Sequence, residues 1–180
     1  MRRRQAPPVA ASRLARIALL VCDVDGVLTD GRVLLGEDGV ERKLFSVIDG
    51  HGLVMLREAG VQVVLVTREP SGIAPARARK LGVPCYPGAL DKGEVLRQLR
   101  EQRTLAREQV AYVGDDLPDL DAFAEAGLRI AVADARPEVR RAADWVTHAR
   151  GGQGAVREVC DRILAARRRT AGRQRQPRGS

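Results

Sequence analysis

The sequence predicts an α/β fold: a Rossmann-like, doubly wound parallel sheet with helices on both faces. Three observations predict it. Short continuous apolar runs alternate with segments of helical length and pattern. Prolines and glycines punctuate the helix boundaries. The composition supplies an aliphatic interior: of 180 residues, 44% are hydrophobic but only 3% aromatic, so Val, Leu, Ile and Ala must fill the core. A chain of this length forms one domain with a substantial core.

Residues 17–22 (IALLVC) make the first run, short and uninterrupted, as expected of a strand buried on both faces. Residues 61–66 (VQVVLV), 110–113 (VAYV) and 128–132 (LRIAV) repeat the pattern, and Trp145 with Val146 closes a fifth short strand. Helices are expected at 50–58, 73–81, 92–102, 118–126, 137–142 and 154–168. Pro118 and Pro137 stand at helix starts, where the missing N–H has no intrahelical partner to lose. Gly60, Gly82 and Gly127 stand where helices usually end. One segment breaks the alternation. Residues 32–36 (RVLLG) and 41–46 (ERKLFS) flank Glu37-Asp38-Gly39, a turn signal, and read as a small β-hairpin inserted after strand 1, a flap over 31–46.

The net charge of +8 lies in the two ends. Residues 1–16 carry five arginines and no acid, and residues 167–180 carry six arginines and no acid. The 150 residues between them hold 20 basic and 23 acidic groups. The domain is therefore expected over 17–166, between a disordered basic N-terminal tail (1–16) and a disordered Arg-rich C-terminal tail (167–180). No basic globular face is implied, so nucleic acid is not an expected partner. No apolar run approaches the ~20 residues of a membrane span, and no membrane partner is expected. A cleaved secretory signal is not expected either, because Pro7, Pro8 and Arg13 interrupt the N-terminal region. Cys22, Cys85 and Cys160 are odd in number and lack metal-ligand spacing, which reads as reduced thiols in a cytoplasmic protein.

In an open parallel sheet, ligands bind beyond the carboxyl ends of the strands. The first run ends in Asp23-Val24-Asp25-Gly26, the second in Thr67, and the third in Gly114-Asp115-Asp116 with Asp119 soon after. Lys92 opens a helix between the second and third. Carboxylates gathered in one crevice repel each other and pay a desolvation cost, which a divalent cation relieves. All-oxygen ligands favour Mg²⁺, which readily shares its shell with a phosphate. A threonine hydroxyl and a lysine ammonium complete a phosphate-binding set. Singly, each signal is equally a turn, a solvated pair or a surface side chain. Their order, each at a strand end or helix start, is what gives them weight.

These residues resemble a known family. DVDGVLTDG (23–31), Thr67, Lys92 and GDDLPD (114–119) resemble the four motifs of haloacid dehalogenase-like phosphatases. The hairpin with KLFSVIDGHG (43–52), AVADARPEVRRAADWVT (131–147) and GGQGAVREVCD (151–161) resemble the branch of 3-deoxy-octulosonate 8-phosphate phosphatases and of the phosphatase-type domains attached to some acylneuraminate cytidylyltransferases. The resemblance implies Asp23 as nucleophile, Asp25 as general acid and base, and Thr67 and Lys92 as phosphate ligands. It implies Mg²⁺ on the carboxylates of Asp23 and Asp115 and the backbone carbonyl of Asp25. Asp116 or Asp119 would orient Lys92. Asp49, Gly50 and His51 resemble a substrate-side loop, with His51 either on sugar hydroxyls or simply solvated. Arg157 would reach a substrate carboxylate or form a helix-surface ion pair.

The gaps between motifs hold no cap domain. The resemblance implies a homotetramer instead, with hairpins assembling across subunits through Leu34, Leu35, Leu44 and Phe45 and a neighbour's C-terminal segment over the site. The alternative is a hairpin folded back on its own domain. Gly151, Gly152 and Gly154 suit a segment bending closely around a ligand or a neighbour. The implied substrate is a sugar-acid phosphate, a small molecule. One departure bears on which: octulosonate phosphatases usually carry Thr-Gly-Arg at the second motif, whereas this chain has Thr67-Arg68-Glu69. Glu69 on the substrate side tilts the expectation toward a nonulosonate 9-phosphate. Two rivals use similar residues. A signalling receiver domain places its lysine last, whereas Lys92 precedes Asp115. A non-catalytic tetrameric scaffold would keep the motifs without the activity.

Overall fold

The computed structural model describes residues 9–174. Six strands form a single sheet in the order β5-β4-β1-β6-β7-β8, every neighbouring pair parallel. They are β1 (Leu19–Cys22), β4 (Gln62–Val66), β5 (Cys85–Tyr86), β6 (Val110–Gly114), β7 (Leu128–Ala131) and β8 (Trp145–Val146). The hairpin expected after strand 1 is present as β2 (Leu34–Leu35) and β3 (Glu41–Arg42), an antiparallel pair outside the main sheet. Gly39 turns it with φ +74°.

The helices are α1 (Ala11–Ala15), α2 (Val47–Glu58), α3 (Ile73–Leu81), α4 (Lys92–Gln102), α5 (Asp119–Glu125), α6 (Pro137–Ala142) and α7 (Ala155–Gln174). They fall into two packed groups. α1, α2, α3 and α7 pack together, and α4, α5 and α6 pack together. The strands between are buried on both faces: Leu19, Leu20, Val21, Cys22, Val110, Ala111, Tyr112 and Val113 are all fully enclosed. The uninterrupted apolar run at 17–22 is the sequence form of that double burial.

Three boundaries differ from expectation. Residues 9–16 are not a tail here. Leu14 of α1 is buried in the core, and the Arg13 guanidinium donates to Gly127 O at 2.7 Å and pairs with Asp144 at 3.3 Å. α7 also runs past residue 166, and Arg167 donates to Ile17 O at 3.0 Å. Net charge identified these arginines as solvated, but a single leucine and two backbone carbonyls suffice to dock them. The rest of the expected tails, 1–8 and 175–180, lies outside the described residues. α2 begins at Val47, three residues earlier than the pattern suggested, because Ser46 caps it by accepting from Asp49 N at 3.2 Å.

The order of strands reverses between β1 and β6, which opens the crevice where such sheets bind ligands. The loop after β1 is braced from far away in sequence. Gly152 N donates to Val27 O at 2.9 Å, and Gly151 N to Asp134 Oδ1 at 3.0 Å. A Cβ on Gly151 would run into the carbonyl of Gly26, so only glycine permits this approach. The glycine-rich segment thus bends closely around the chain's own first loop. Gly151→Ala is expected to cost roughly 2 kcal/mol or more in urea unfolding, as backbone overpacking does. A loss below about 0.5 kcal/mol would show that the clasp is loose.

Candidate active site

Strand register builds the site. Cys22 lies level with Leu65 on β4 and Val113 on β6. The next positions along these strands bring Asp23, Val66 and Gly114 to one row, with Thr67 and Asp115 just beyond. Asp23 N donates to Val113 O at 3.0 Å, which fixes the nucleophile candidate to the β6 side. Gly26, at φ +89°, lets the loop pass over Asp115, because a Cβ there would overlap the Asp115 carboxylate.

A buried lysine joins the elements. Lys92, the first residue of α4, places its ammonium 2.7 Å from Asp23 Oδ1 and 2.7 Å from Asp119 Oδ1. Asp119, fully buried, is held by further donors. Tyr112 Oη donates to its Oδ1 at 2.8 Å, and the N–H groups of Asp115 and Asp116 donate to its Oδ2 at 2.8 and 3.1 Å. Asp119 is therefore the group that orients Lys92. Asp116 is not: it is exposed, and its carboxylate accepts from Leu117 N at 2.8 Å.

The electrostatics are those of crowded acids. Burial, then the Asp119 charge, push the Asp23 carboxyl up to about 7, against the opposing pull of Lys92. Burial, then Asp23 and Asp119, push Asp115 up to about 9. For Lys92 burial acts to lower its proton affinity, but Asp23 and Asp119 outweigh it and the net shift is upward.

Asp25 faces a different set of groups. Its Oδ1 accepts from Lys43 Nζ at 2.6 Å, and its Oδ2 accepts from Thr67 Oγ1 at 3.2 Å. Thr67 in turn accepts from Glu69 N at 3.1 Å. Lys43 follows β3 directly, so the hairpin contributes a side chain to the crevice.

Sequence reasoning passed over Lys43 and Tyr112 as site residues. A usable signal existed for the lysine: the chain has 28 arginines and only three lysines, and two of those three pair with carboxylates of this site.

The residues expected on the substrate side fare unevenly. Asp49 is fully buried and caps α7, accepting from Gly154 N at 3.1 Å and Arg157 N at 2.8 Å. It is a structural residue of a helix, not part of a loop. Gly50 is buried because the Arg77 and Leu81 side chains lie where its Cβ would be. His51 is exposed on α2, with no hydrogen bond or ion pair to the carboxylate cluster among the described residues. Arg157 pairs with Asp161 one helical turn on, at 2.9 Å, which is the surface-pair alternative. Glu69 and Arg68 are exposed on the loop that carries Thr67.

The carboxylates suit a cation. Ligand oxygens of Asp23, Asp115 and Asp119 lie within 4.8 Å of one another, and Asp115 Oδ1 is buried with no hydrogen-bond partner. An orphaned buried carboxylate oxygen beside other acids needs a proton or a metal. Asp119 already accepts from four donors, so Asp23 and Asp115 carry the free ligand capacity. The Asp25 carboxylate, occupied by Lys43 and Thr67, leaves only its backbone carbonyl for an ion.

Comparison with known proteins identifies the family of the chain. A family model described as haloacid dehalogenase-like hydrolase matches residues 69–158. The 3-deoxy-D-manno-octulosonate 8-phosphate phosphatase KdsC of Yersinia pestis is 44% identical over 161 residues, covering 89% of this chain and 86% of that protein. A crystal structure of a Xanthomonas campestris protein superposes with a TM-score of 0.88 at 42% identity, over 93% of this chain and 92% of the other. The 3-deoxy-D-manno-octulosonate 8-phosphate phosphatase of Moraxella catarrhalis, solved with magnesium ion, phosphate ion and KDO, superposes with a TM-score of 0.85 at 37% identity, over 91% and 95% of the two chains.

The raised carboxyls have a measurable consequence. Folding lifts Asp23 to about 7 and Asp115 to about 9, so the metal-free fold holds protons that the unfolded chain has released. Stability of the metal-free protein should fall as pH rises from the ordinary carboxylate range through about 9. A cation replaces those protons, so Mg²⁺ should raise Tm more at about pH 9 than at about pH 6. Thermal melts at several pH values check this; a Mg²⁺ shift independent of pH would contradict it.

Proposed function

Because the chain belongs to the haloacid dehalogenase-like hydrolases and is a phosphoric monoester hydrolase, we propose that it removes phosphate from a 3-deoxy sugar acid, 3-deoxy-octulosonate 8-phosphate. The observation that carries this reading is the meeting of Asp23, Asp115 and Lys92 in one crevice of a chain 44% identical to a phosphatase of that substrate.

Lys92 holds Asp23 by one oxygen and leaves the other to attack phosphorus. Of its three N–H donors, two serve Asp23 and Asp119, and the third is left for a phosphoryl oxygen. Thr67 supplies a second donor to that group. Attack forms an aspartyl-phosphate on Asp23 and breaks the phosphorus–oxygen bond to the sugar, and Asp25 gives the departing alkoxide a proton. Asp25 then takes a proton from water, which attacks phosphorus, releases phosphate and restores Asp23. Mg²⁺, held by the carboxylates of Asp23 and Asp115 and the carbonyl of Asp25, supplies neutralisation of the negative charge on the transferring phosphoryl group.

No cap covers the crevice: between Asp25 and Thr67 the chain forms only the hairpin, α2 and β4. Leu34, Leu35 and Leu44 of the hairpin and Val47 and Ile48 at the head of α2 are exposed, Leu44 to 85%, so these side chains do not pack back on their own domain. Phe45 differs, being half-buried under the Arg77 guanidinium at 5.4 Å. An apolar stretch of this kind beside an uncapped site supports a homotetramer assembled through the hairpins. Among the described residues no helix is long and apolar enough to cross a membrane.

Glu69 favours a second substrate reading. It stands at the third position of the second motif, exposed on the Thr67 loop, and tilts toward a nine-carbon acid such as a nonulosonate 9-phosphate.

Purified protein with Mg²⁺ is expected to release phosphate from 3-deoxy-octulosonate 8-phosphate faster than from nonulosonate 9-phosphates or a broad ester panel. Asp23→Asn should lower kcat by about 10³-fold or more while circular dichroism stays unchanged. A native enzyme inert on the whole panel would favour the scaffold reading. Light scattering after size exclusion should give a tetramer, and Leu34→Asp with Leu44→Asp should give smaller species; a native monomer would remove the assembly.

A further inference from the structure

We propose that Lys43 is a positioning residue for Asp25, holding the acid–base carboxylate in place when substrate draws Thr67 away. The inference rests on the phosphatase reading for the role of Asp25, and on geometry for the role of Lys43.

Lys43 is out of character with its surroundings. The hairpin around it is open to solvent, with Leu34 at 68% and Leu44 at 85% exposure, yet the Lys43 side chain is only 4% exposed. Burying an ammonium is costly unless a partner compensates. The compensating partner is Asp25 Oδ1 at 2.6 Å, and Lys43 has no other hydrogen bond or ion pair among the described residues. Its burial is not needed to anchor the hairpin base. Arg77 already does that, donating to Ser46 O at 3.0 Å and lying over the Phe45 ring.

The second donor to Asp25 is the Thr67 hydroxyl, at 3.2 Å from Oδ2. A hydroxyl carries one proton, so Thr67 donates either to Asp25 or to a phosphoryl oxygen, never to both. When phosphate takes that hydrogen bond, Oδ2 is released to face the leaving oxygen, and Lys43 is the donor that keeps Oδ1 from swinging. Lysine suits this task better than arginine. An ammonium is a point donor that holds one carboxylate oxygen, whereas a guanidinium fork would engage both and block Oδ2. In a chain with 28 arginines and three lysines, a lysine at this position is the one that leaves the working oxygen free.

The test uses the full chain, with Lys43→Met, close in length but without a donor, and Lys43→Gln, which keeps one N–H. Lys43→Met should lower kcat on 3-deoxy-octulosonate 8-phosphate by roughly 10- to 100-fold with KM within about 3-fold, and Lys43→Gln should lose less. Should the Met variant not fold, the Gln variant still reads the split. Crystals of native and variant protein soaked with orthophosphate give a readout independent of turnover: Asp25 should stay in place in the native form and leave it in the Met variant. An unchanged kcat, a change in KM alone, or an unmoved Asp25 would overturn the proposal. Failure of the phosphatase reading looks different, because the native enzyme itself would be inert, and the orthophosphate crystals would still decide the role of Lys43.

Discussion

One buried ammonium organises the site. Lys92 sits between Asp23 and Asp119, 2.7 Å from each, and without it two buried carboxylates would be left with no cation between them. Much of the surrounding fold secures that contact. Asp91 caps α4 by accepting from Glu94 N at 2.8 Å, so Lys92 stands at the head of a stable helix. Tyr112 and two backbone amides hold Asp119 from the other side. Asp23 is fixed by the end of β1. Three elements far apart in sequence therefore share a single cation, and the sheet order makes this possible by placing β1 beside β6.

The same arrangement divides the acids by role. Asp119 has its oxygens filled by donors and serves as an anchor. Asp115 has an oxygen with no donor and is open to a metal. Asp25 lies apart from the cluster, with one carboxylate oxygen on a lysine and the other on a threonine. Three aspartates with the same side chain thus acquire three different chemistries from what stands within hydrogen-bond distance of each.

The sheet and the strand-end motifs were legible because they depend on local pattern. A run buried on both faces is uninterrupted in sequence, and a residue that follows it must sit at the sheet edge. Asp23, Thr67 and Asp115 could therefore be picked out by position, while Lys92 was marked by the start of a helix and Asp119 stood as one of two candidates with Asp116. What was not legible depends on pairings between distant residues. Asp49 reads as a polar residue in a loop until α7 is seen to use it as a cap. Arg13 and Arg167 read as solvated charge until the carbonyls they reach are known. Lys43 was hidden because hairpin sequence does not say which side chains turn inward; its rarity among arginines was the available clue.

The clasp between Gly151, Gly152 and the loop at 26–29 has a bearing on the order of synthesis. The loop that carries Asp23 and Asp25 leaves the ribosome early, and the glycines that brace it leave late. Until they arrive, the loop has only its own hydrogen bonds, such as those of Leu28 N and Thr29 N to Val24 O, and lacks the bond from Gly152 N to Val27 O. A chain cut short of Gly151 would carry Asp23, Thr67, Lys92 and Asp115 without this brace on the loop that follows Asp23.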